Sequence, residues 1–138
     1  MLTPKAQSHL EQMRQLDRFS RTLGVQIIRQ DLGECVAAMR VSTDMANGGG
    51  NCHGGAIFSL ADVSFAYACH SRGEMNVAAA ADIQFVAPGR VGDELTAVAT
   101  ERLRYGRGDR SGLYDVVVTN QVGDLIALFT GRAALISS

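Results

Sequence analysis

Asn47, His53 and Asp62 are the polar side chains whose spacing points to chemistry, and glycine surrounds the first two, in Asn47-Gly48-Gly49-Gly50-Asn51-Cys52-His53-Gly54-Gly55. Residues 56–69 follow as an apolar segment with a single carboxylate, Asp62, inside it. A glycine-rich turn that enters a helix leaves backbone N–H groups free at the positive end of the helix dipole. Such a place suits an anion or a polarised carbonyl. Asp62 sits about two turns into a helix otherwise made of Ile57, Phe58, Leu60, Ala61, Val63, Phe65, Ala66, Tyr67 and Ala68. It loses hydration there unless something pairs with it or uses it.

The elements that must hold these groups can be read from periodicity. Thr3-Pro4 is a helix start, a cap followed by a first-turn proline, and Leu10, Met13, Leu16 and Leu23 continue at near-helical spacing to Gly24. One N-terminal amphipathic helix is expected. Segments 25–32 and 34–42 alternate as strands of a hairpin turned at Gly33, with Cys35, Ala37, Met39 and Val41 on one face. The helix over 55–71 is apolar nearly all round, which predicts burial on most sides, and Gly73 stops it. Strands follow over 77–87, ending at Pro88-Gly89, and over 94–105, placing Leu95, Ala97, Ala99, Leu103 and Tyr105 on one face. Tyr114, Val116 and Val118 alternate next, and Leu125, Ala127, Phe129, Ala133 and Leu135 close the chain. Gly131 inside that last strand implies a bulge or a close backbone approach. The expected fold is α+β: a curved antiparallel sheet of about six strands wrapped around a central helix, with an N-terminal helix beside it. An open sheet leaves edges, and pairing with a second copy is one way to cover them.

At 138 residues the chain is one domain, 1–138, too short for separate cofactor and substrate domains. Its 46% hydrophobic and 20% charged content excludes a disordered or fibrous chain. Thirteen basic residues nearly balance fourteen acidic ones, with no basic block interleaved with aromatics, so no nucleic acid partner is expected. No apolar leader precedes residue 15, and the run 56–69 is shorter than the roughly 20 residues of a membrane span. No membrane association and a cytoplasmic location are therefore expected. Cys35, Cys52 and Cys69 form no CxxC pair and read as reduced thiols, while Cys52, His53 and His70 match no standard zinc spacing. No metal is expected.

Taken together, these residues resemble the hotdog-fold acyl-CoA thioesterases, and specifically the PaaI group of phenylacetic acid degradation. The resemblance covers nearly the whole chain. Its most specific part is Asn47, then His53-Gly54-Gly55, then Phe58-Ser59-Leu60-Ala61-Asp62 and Phe65-Ala66-Tyr67-Ala68-Cys69. Phe85-Val86-Ala87-Pro88-Gly89 with Gly92-Asp93, and Tyr114-Asp115 through Asn120 to Ala127-Leu128-Phe129, also resemble the group. The resemblance implies hydrolysis of an acyl-CoA, of the (hydroxy)phenylacetyl-CoA type, without metal or organic cofactor. It further implies an active site across a homodimer interface, Asp62 of one subunit facing the Asn47 and Gly54 region of the other; a dimer of dimers, a homotetramer, is expected, with the dimer alone as the alternative.

Thioester hydrolysis requires stabilisation of the charge growing on the carbonyl oxygen, and activation of water or of a direct nucleophile. Gly54 is the first choice for the backbone donor and Gly55 the second, although glycines here also serve a tight loop-to-helix entry. Asp62 is either a general base on water or the nucleophile itself. Asn47 can orient water or hold the thioester, and is equally a good turn residue. His53 is the alternative base, assigned mainly to shaping the loop. The run Ala78 to Ala81 stands where some relatives carry a Ser or Thr, so that hydroxyl is absent, and close helix-on-sheet packing is expected of the alanines instead. Phe58, Phe65, Tyr67 and Phe85 either line an aryl pocket or fill the core. Pro88, Gly89 and Arg90, with Arg104 and Arg107, are candidates for contact with substrate, the arginines for the CoA phosphates. Two other readings stay open at this point. One is a hotdog hydratase or dehydratase, for which the proline-rich histidine loop of acyl carrier protein dehydratases is missing; the other is a non-catalytic acyl-CoA binder.

Overall fold

In the computed structural model, which describes residues 1–136, Thr3 caps helix α1 (Pro4–Leu16) by accepting from the Ala6 N–H at 3.1 Å. The single N-terminal helix expected up to Gly24 is two helices: α1 ends at Asp17 and α2 (Arg18–Leu23) begins from it. Asp17 is the cause. Its carboxylate accepts from the Ser20 N–H (3.2 Å), the Ser20 hydroxyl (2.6 Å) and the Tyr67 hydroxyl (2.9 Å), so it serves as a cap rather than an interior helix residue.

Six antiparallel strands follow: β1 (Gln26–Asp31), β2 (Glu34–Arg40), β3 (Asn76–Phe85), β4 (Glu94–Tyr105), β5 (Ser111–Thr119) and β6 (Leu125–Leu135). They form one sheet in the order β1-β2-β4-β5-β6-β3. Helix α3 (Gly54–Cys69) connects the second and third strands and lies on one face of the sheet. Leu60, Ala61 and Phe65 of α3 pack there against Ala37, Met39, Leu95, Ala97, Ala99, Val116, Val118 and Phe129, all buried. This is the helix-and-sheet architecture the periodicity implies. Gly131 supplies the close approach expected of it: a Cβ there would lie 2.8 Å from the Phe65 ring, so the glycine makes the room Phe65 fills.

Two sequence expectations are corrected. Leu103 and Tyr105 do not share the inward face with Leu95, Ala97 and Ala99; both are more than a third exposed. The register against β5 shifts between Glu101 and Leu103, a β-bulge that reverses the side-chain alternation. Arg104 is thereby turned inward and donates to the Tyr114 hydroxyl at 3.1 Å. The alanine run, expected to pack under the helix, is exposed at Ala78, Ala79, Ala80 and Ala81, because β3 is the last strand of the sheet and pairs only with β6.

Candidate active site

The loop before α3 is closed by Asn47. Its Oδ1 accepts from the N–H groups of Gly49 (2.9 Å) and Asn51 (3.1 Å), and its own N–H donates to the Asn51 carbonyl at 2.7 Å. That side-chain oxygen is therefore committed to the turn, which leaves the amide Nδ2 for any other partner. A second connection, Cys52 N–H to the Gly89 carbonyl at 2.7 Å, ties the loop to the segment after β3.

His53 then governs the start of α3. As its N-cap, the ring Nδ1 accepts from the Gly55 N–H at 2.9 Å, while the His53 carbonyl accepts from Ala56 (3.0 Å) and Ile57 (3.3 Å). Of the four N–H groups a helix leaves unsatisfied at this end, those of His53 (to the Met45 carbonyl, 2.7 Å), Gly55 and Ala56 are taken, and the Ile57 bond is the first regular one of the helix. Among the described residues the Gly54 N–H has no partner. This geometry separates the two glycines: Gly55 is capped and Gly54 is open.

Gly54 borders a cleft of about 320 Å³ whose other walls are Asn47, Asn51, Cys52, Ile57 and the segment from Phe85 to Pro88. Asn51 was not singled out in the sequence, its signal being only adjacency to the glycine loop. Of the aromatics expected either in an aryl pocket or in the core, Phe85 is on the cleft wall and Tyr67 is buried. Gly89 lies buried behind the wall, where a Cβ would meet that of Cys52 at 3.2 Å, and Arg90 is exposed beside it, bridged through the backbone to Asn51. Burial and the nearby Asp93 carboxylate push the Cys52 thiol up from its ordinary pKa.

Asp62 is eight positions after Gly54, about 12 Å further along the helix axis, and does not line this cleft. It lies with Gly55, Ser59 and Ala66 on the stripe of α3 that the sheet leaves uncovered. Desolvation alone raises its pKa; among the described residues no cation or hydrogen-bond donor compensates it. Within one chain, then, the open N–H and the unpaired carboxylate cannot reach the same carbonyl.

The remaining candidates separate by position. Phe65 is a core residue, 1% exposed, with Tyr114 and Phe129 at ring-centroid distances of 5.6 and 5.8 Å, and is closed off from the cleft. Phe58 is half-buried, edge-on to Phe129 at 5.4 Å. Arg104 and Arg107 stand at the other end of the sheet, about 30 Å from the cleft by the length of β3. Arg104 is occupied by the Tyr114 hydroxyl and the Asp109 carbonyl, and lines a separate hollow with Arg72 and Glu101; Arg107 is exposed. His70 also lies far from Cys52 and His53: it caps the end of α3, stacked on His9 with a ring nitrogen contact of 2.8 Å.

The sequence pattern of the thioesterase superfamily matches residues 49–127, the stretch that carries the capped loop, α3 and four of the six strands in whole or part. The chain belongs to the thioesterase superfamily. It is 42% identical over 132 residues to the "Acyl-coenzyme A thioesterase PaaI" of Escherichia coli strain K12, covering 96% of this chain and 92% of that one. The solved structure of the Escherichia coli PaaI protein from the phenylacetic acid degradation operon superposes with a TM-score of 0.92, covering 100% of this chain and 98% of that chain. A mutant structure of the phenylacetic acid degradation protein PaaI from Thermus thermophilus is 34% identical, with a TM-score of 0.81, covering 87% and 100%. A Streptococcus mutans protein solved bound to acetyl CoA is 25% identical, with a TM-score of 0.77, covering 83% and 90%. These likenesses make the present chain a hotdog thioesterase of the PaaI type, and an enzyme. No described helix is long and apolar enough to cross a membrane.

Proposed function

We propose that this thioesterase hydrolyses aryl-acetyl-CoA thioesters of the (hydroxy)phenylacetyl type, releasing free acid and CoA, in a site assembled from two copies of the chain. One observation carries the reading: His53 satisfies every first-turn N–H of α3 except that of Gly54, which borders a cleft walled by Asn47 and Asn51 on one side and Phe85 to Pro88 on the other. A thioester carbonyl accepting from that N–H gains stabilisation as its oxygen becomes negative. The carboxylate that completes the chemistry comes from the partner's α3, since Asp62 of the same chain is about 12 Å away.

Asp62 acts in one of two ways. As a base it takes a proton from water while the hydroxide adds to the carbonyl carbon; the tetrahedral intermediate then expels the CoA thiolate, which leaves with the proton. As a nucleophile its oxygen displaces the thiolate to give a mixed anhydride, which water cleaves to the acid and the free carboxylate. Either route needs Asp62 ionised, and burial makes it a stronger base than an exposed aspartate. Asn47 lines the cleft with its Oδ1 already used, and in this reading its Nδ2 donates to the incoming water or the acyl oxygen. Arg90, exposed and joined through the backbone to Asn51 of the cleft wall, is the nearest of the three candidate arginines for the CoA phosphates, Arg104 and Arg107 standing at the other end of the sheet.

The free edge of β3 supports the dimer. Val77 is 43% exposed, and Ala78 to Ala81 are exposed with it, along a strand with one unpaired side, a surface that a second copy covers by strand pairing. Val98, Val117 and Leu128, in register across the outer face of the sheet and each about 40% exposed, give the dimers a face on which to pair into a tetramer. Three free cysteines and a CoA substrate agree with work in the cytoplasm. The test is thiol release over aryl, medium-chain and short-chain acyl-CoAs with Asp62→Ala alongside. Undiminished turnover in the folded variant removes Asp62 from the mechanism, and absence of thiol release from every acyl-CoA removes the reading.

A further inference from the structure

We infer that Phe85 sets the acyl selectivity of this enzyme, its ring packing against an aryl group held one carbon from a thioester carbonyl at Gly54. The inference rests on the reading of the Gly54 cleft given above. The Phe85 ring points its tip at Gly54: a Cβ built on that glycine would lie 3.1 Å from Cζ and 3.3 Å from Cε1. The one open N–H and the one exposed ring of the cleft are therefore adjacent. Whatever is attached to a carbonyl bonded at Gly54 is delivered next to that ring.

Exposure makes the same point. Phe85 is 55% exposed at the end of the edge strand, so the chain itself gives its face nothing to pack on. The other two phenylalanines on the helix side are used already, Phe65 inside the core and Phe58 edge-on to Phe129. Ile57, Val86, Ala87 and Pro88 complete the wall and accept any hydrocarbon, whereas only Phe85 presents an aromatic face. Size agrees as well, since a cavity of roughly 150 Å³ holds a benzene ring, and the cleft has about 320 Å³.

Offset or edge-on aromatic packing adds a gain beyond area burial that an alkyl chain does not receive. The experiment compares kcat/KM for phenylacetyl-CoA and hexanoyl-CoA in wild type, Phe85→Leu and Phe85→Tyr. Phe85→Leu keeps most of the apolar bulk but removes the ring, and is expected to lower the aryl-to-alkyl ratio about tenfold, the most a single aromatic contact supplies. Phe85→Tyr is expected to hold the ratio within about twofold of wild type. A Phe85→Leu ratio that stays at the wild-type value, or a Phe85→Tyr ratio that falls as far as that of Phe85→Leu, overturns the inference. Wild-type enzyme that releases no thiol from either substrate instead overturns the functional reading, so the two failures are distinct. Exposed Phe85 leaves the fold intact on substitution, checked by an unchanged melting temperature.

Discussion

Replacing His53 decides between a brace and a base, because the two roles differ in size. In the structure Nδ1 of His53 accepts the Gly55 N–H at 2.9 Å, so His53→Ala removes one N-cap. Loss of a cap costs about 1 kcal/mol. With 138 residues and an unfolding entropy of about 2.1 cal/mol/K per residue, about 0.29 kcal/mol/K in all, that cost lowers the melting temperature by roughly 3.5 °C. His53→Asn removes the imidazole but keeps a side chain of the best capping class, so its melting temperature is expected to stay within about 1 °C of wild type. Activity should follow the cap. A general base contributes about 100- to 10,000-fold, and both variants would lose that much if the imidazole moved a proton. As a brace, His53→Asn is expected to keep turnover within about fivefold of wild type, with His53→Ala lower because the Gly54 N–H is less well held. Differential scanning fluorimetry at fixed protein concentration, with steady-state thiol release on the same samples, reads both quantities. A His53→Asn protein with unchanged melting temperature and turnover reduced more than a hundredfold refutes the argument.

Asp62→Asn is expected to cut thiol release by at least about a hundredfold, and the wild-type kcat/KM should fall with acid through a pKa above the ordinary aspartate value of 3.8. The stability effect has the opposite sign. A carboxylate whose folded pKa is raised binds more protons folded than unfolded, so stability falls as pH rises through that interval, and the neutral asparagine escapes the loss. Asp62→Asn should therefore melt higher than wild type at pH 7, with the difference vanishing in acid below pH 3.8; an equal gap at both pH values contradicts the assignment. Gly131→Ala puts a methyl 2.8 Å from the Phe65 ring and should cost about 1–3 kcal/mol in denaturant titration, less when combined with Phe65→Leu; strict additivity would refute the contact. Ala80→Lys places a charge at the middle of the β3 edge. It should yield folded subunits that sediment as monomers and release no thiol, and an active monomer would overturn the shared site.

Much of this architecture was legible in the sequence because period and punctuation agreed. The alternation of Cys35, Ala37 and Met39 and the apolar run of α3 each admitted one arrangement. What escaped was decided by contacts distant in sequence. Asp17 interrupts the first helix by capping the next through Ser20, and Tyr67, fifty residues later, adds a donor that the local sequence does not show. The inward face of β4 ends at Glu101 because a bulge, invisible to a two-residue period, reverses Leu103 and Tyr105. The alanine run looked like packing and is an edge, since strand order is not written in the composition of a strand. For the site, the glycine loop and Asp62 were recognisable by type. Gly54 was ranked ahead of Gly55 as the donor, but the physical cause of their division was not legible, because it depends on which way the His53 ring turns.

That turn also determines what the end of α3 refuses. A bare helix N-terminus holds phosphate, which offers several oxygens to several N–H groups. Here His53 fills the neighbouring positions and leaves one vacancy, enough for a single carbonyl oxygen and too few for a tetrahedral anion. An acyl-CoA carries phosphates at one end and a thioester at the other, and any anion cradle near the cleft would invite it in backwards. With the imidazole cap in place, inorganic phosphate is expected to compete poorly with substrate at the Gly54 N–H.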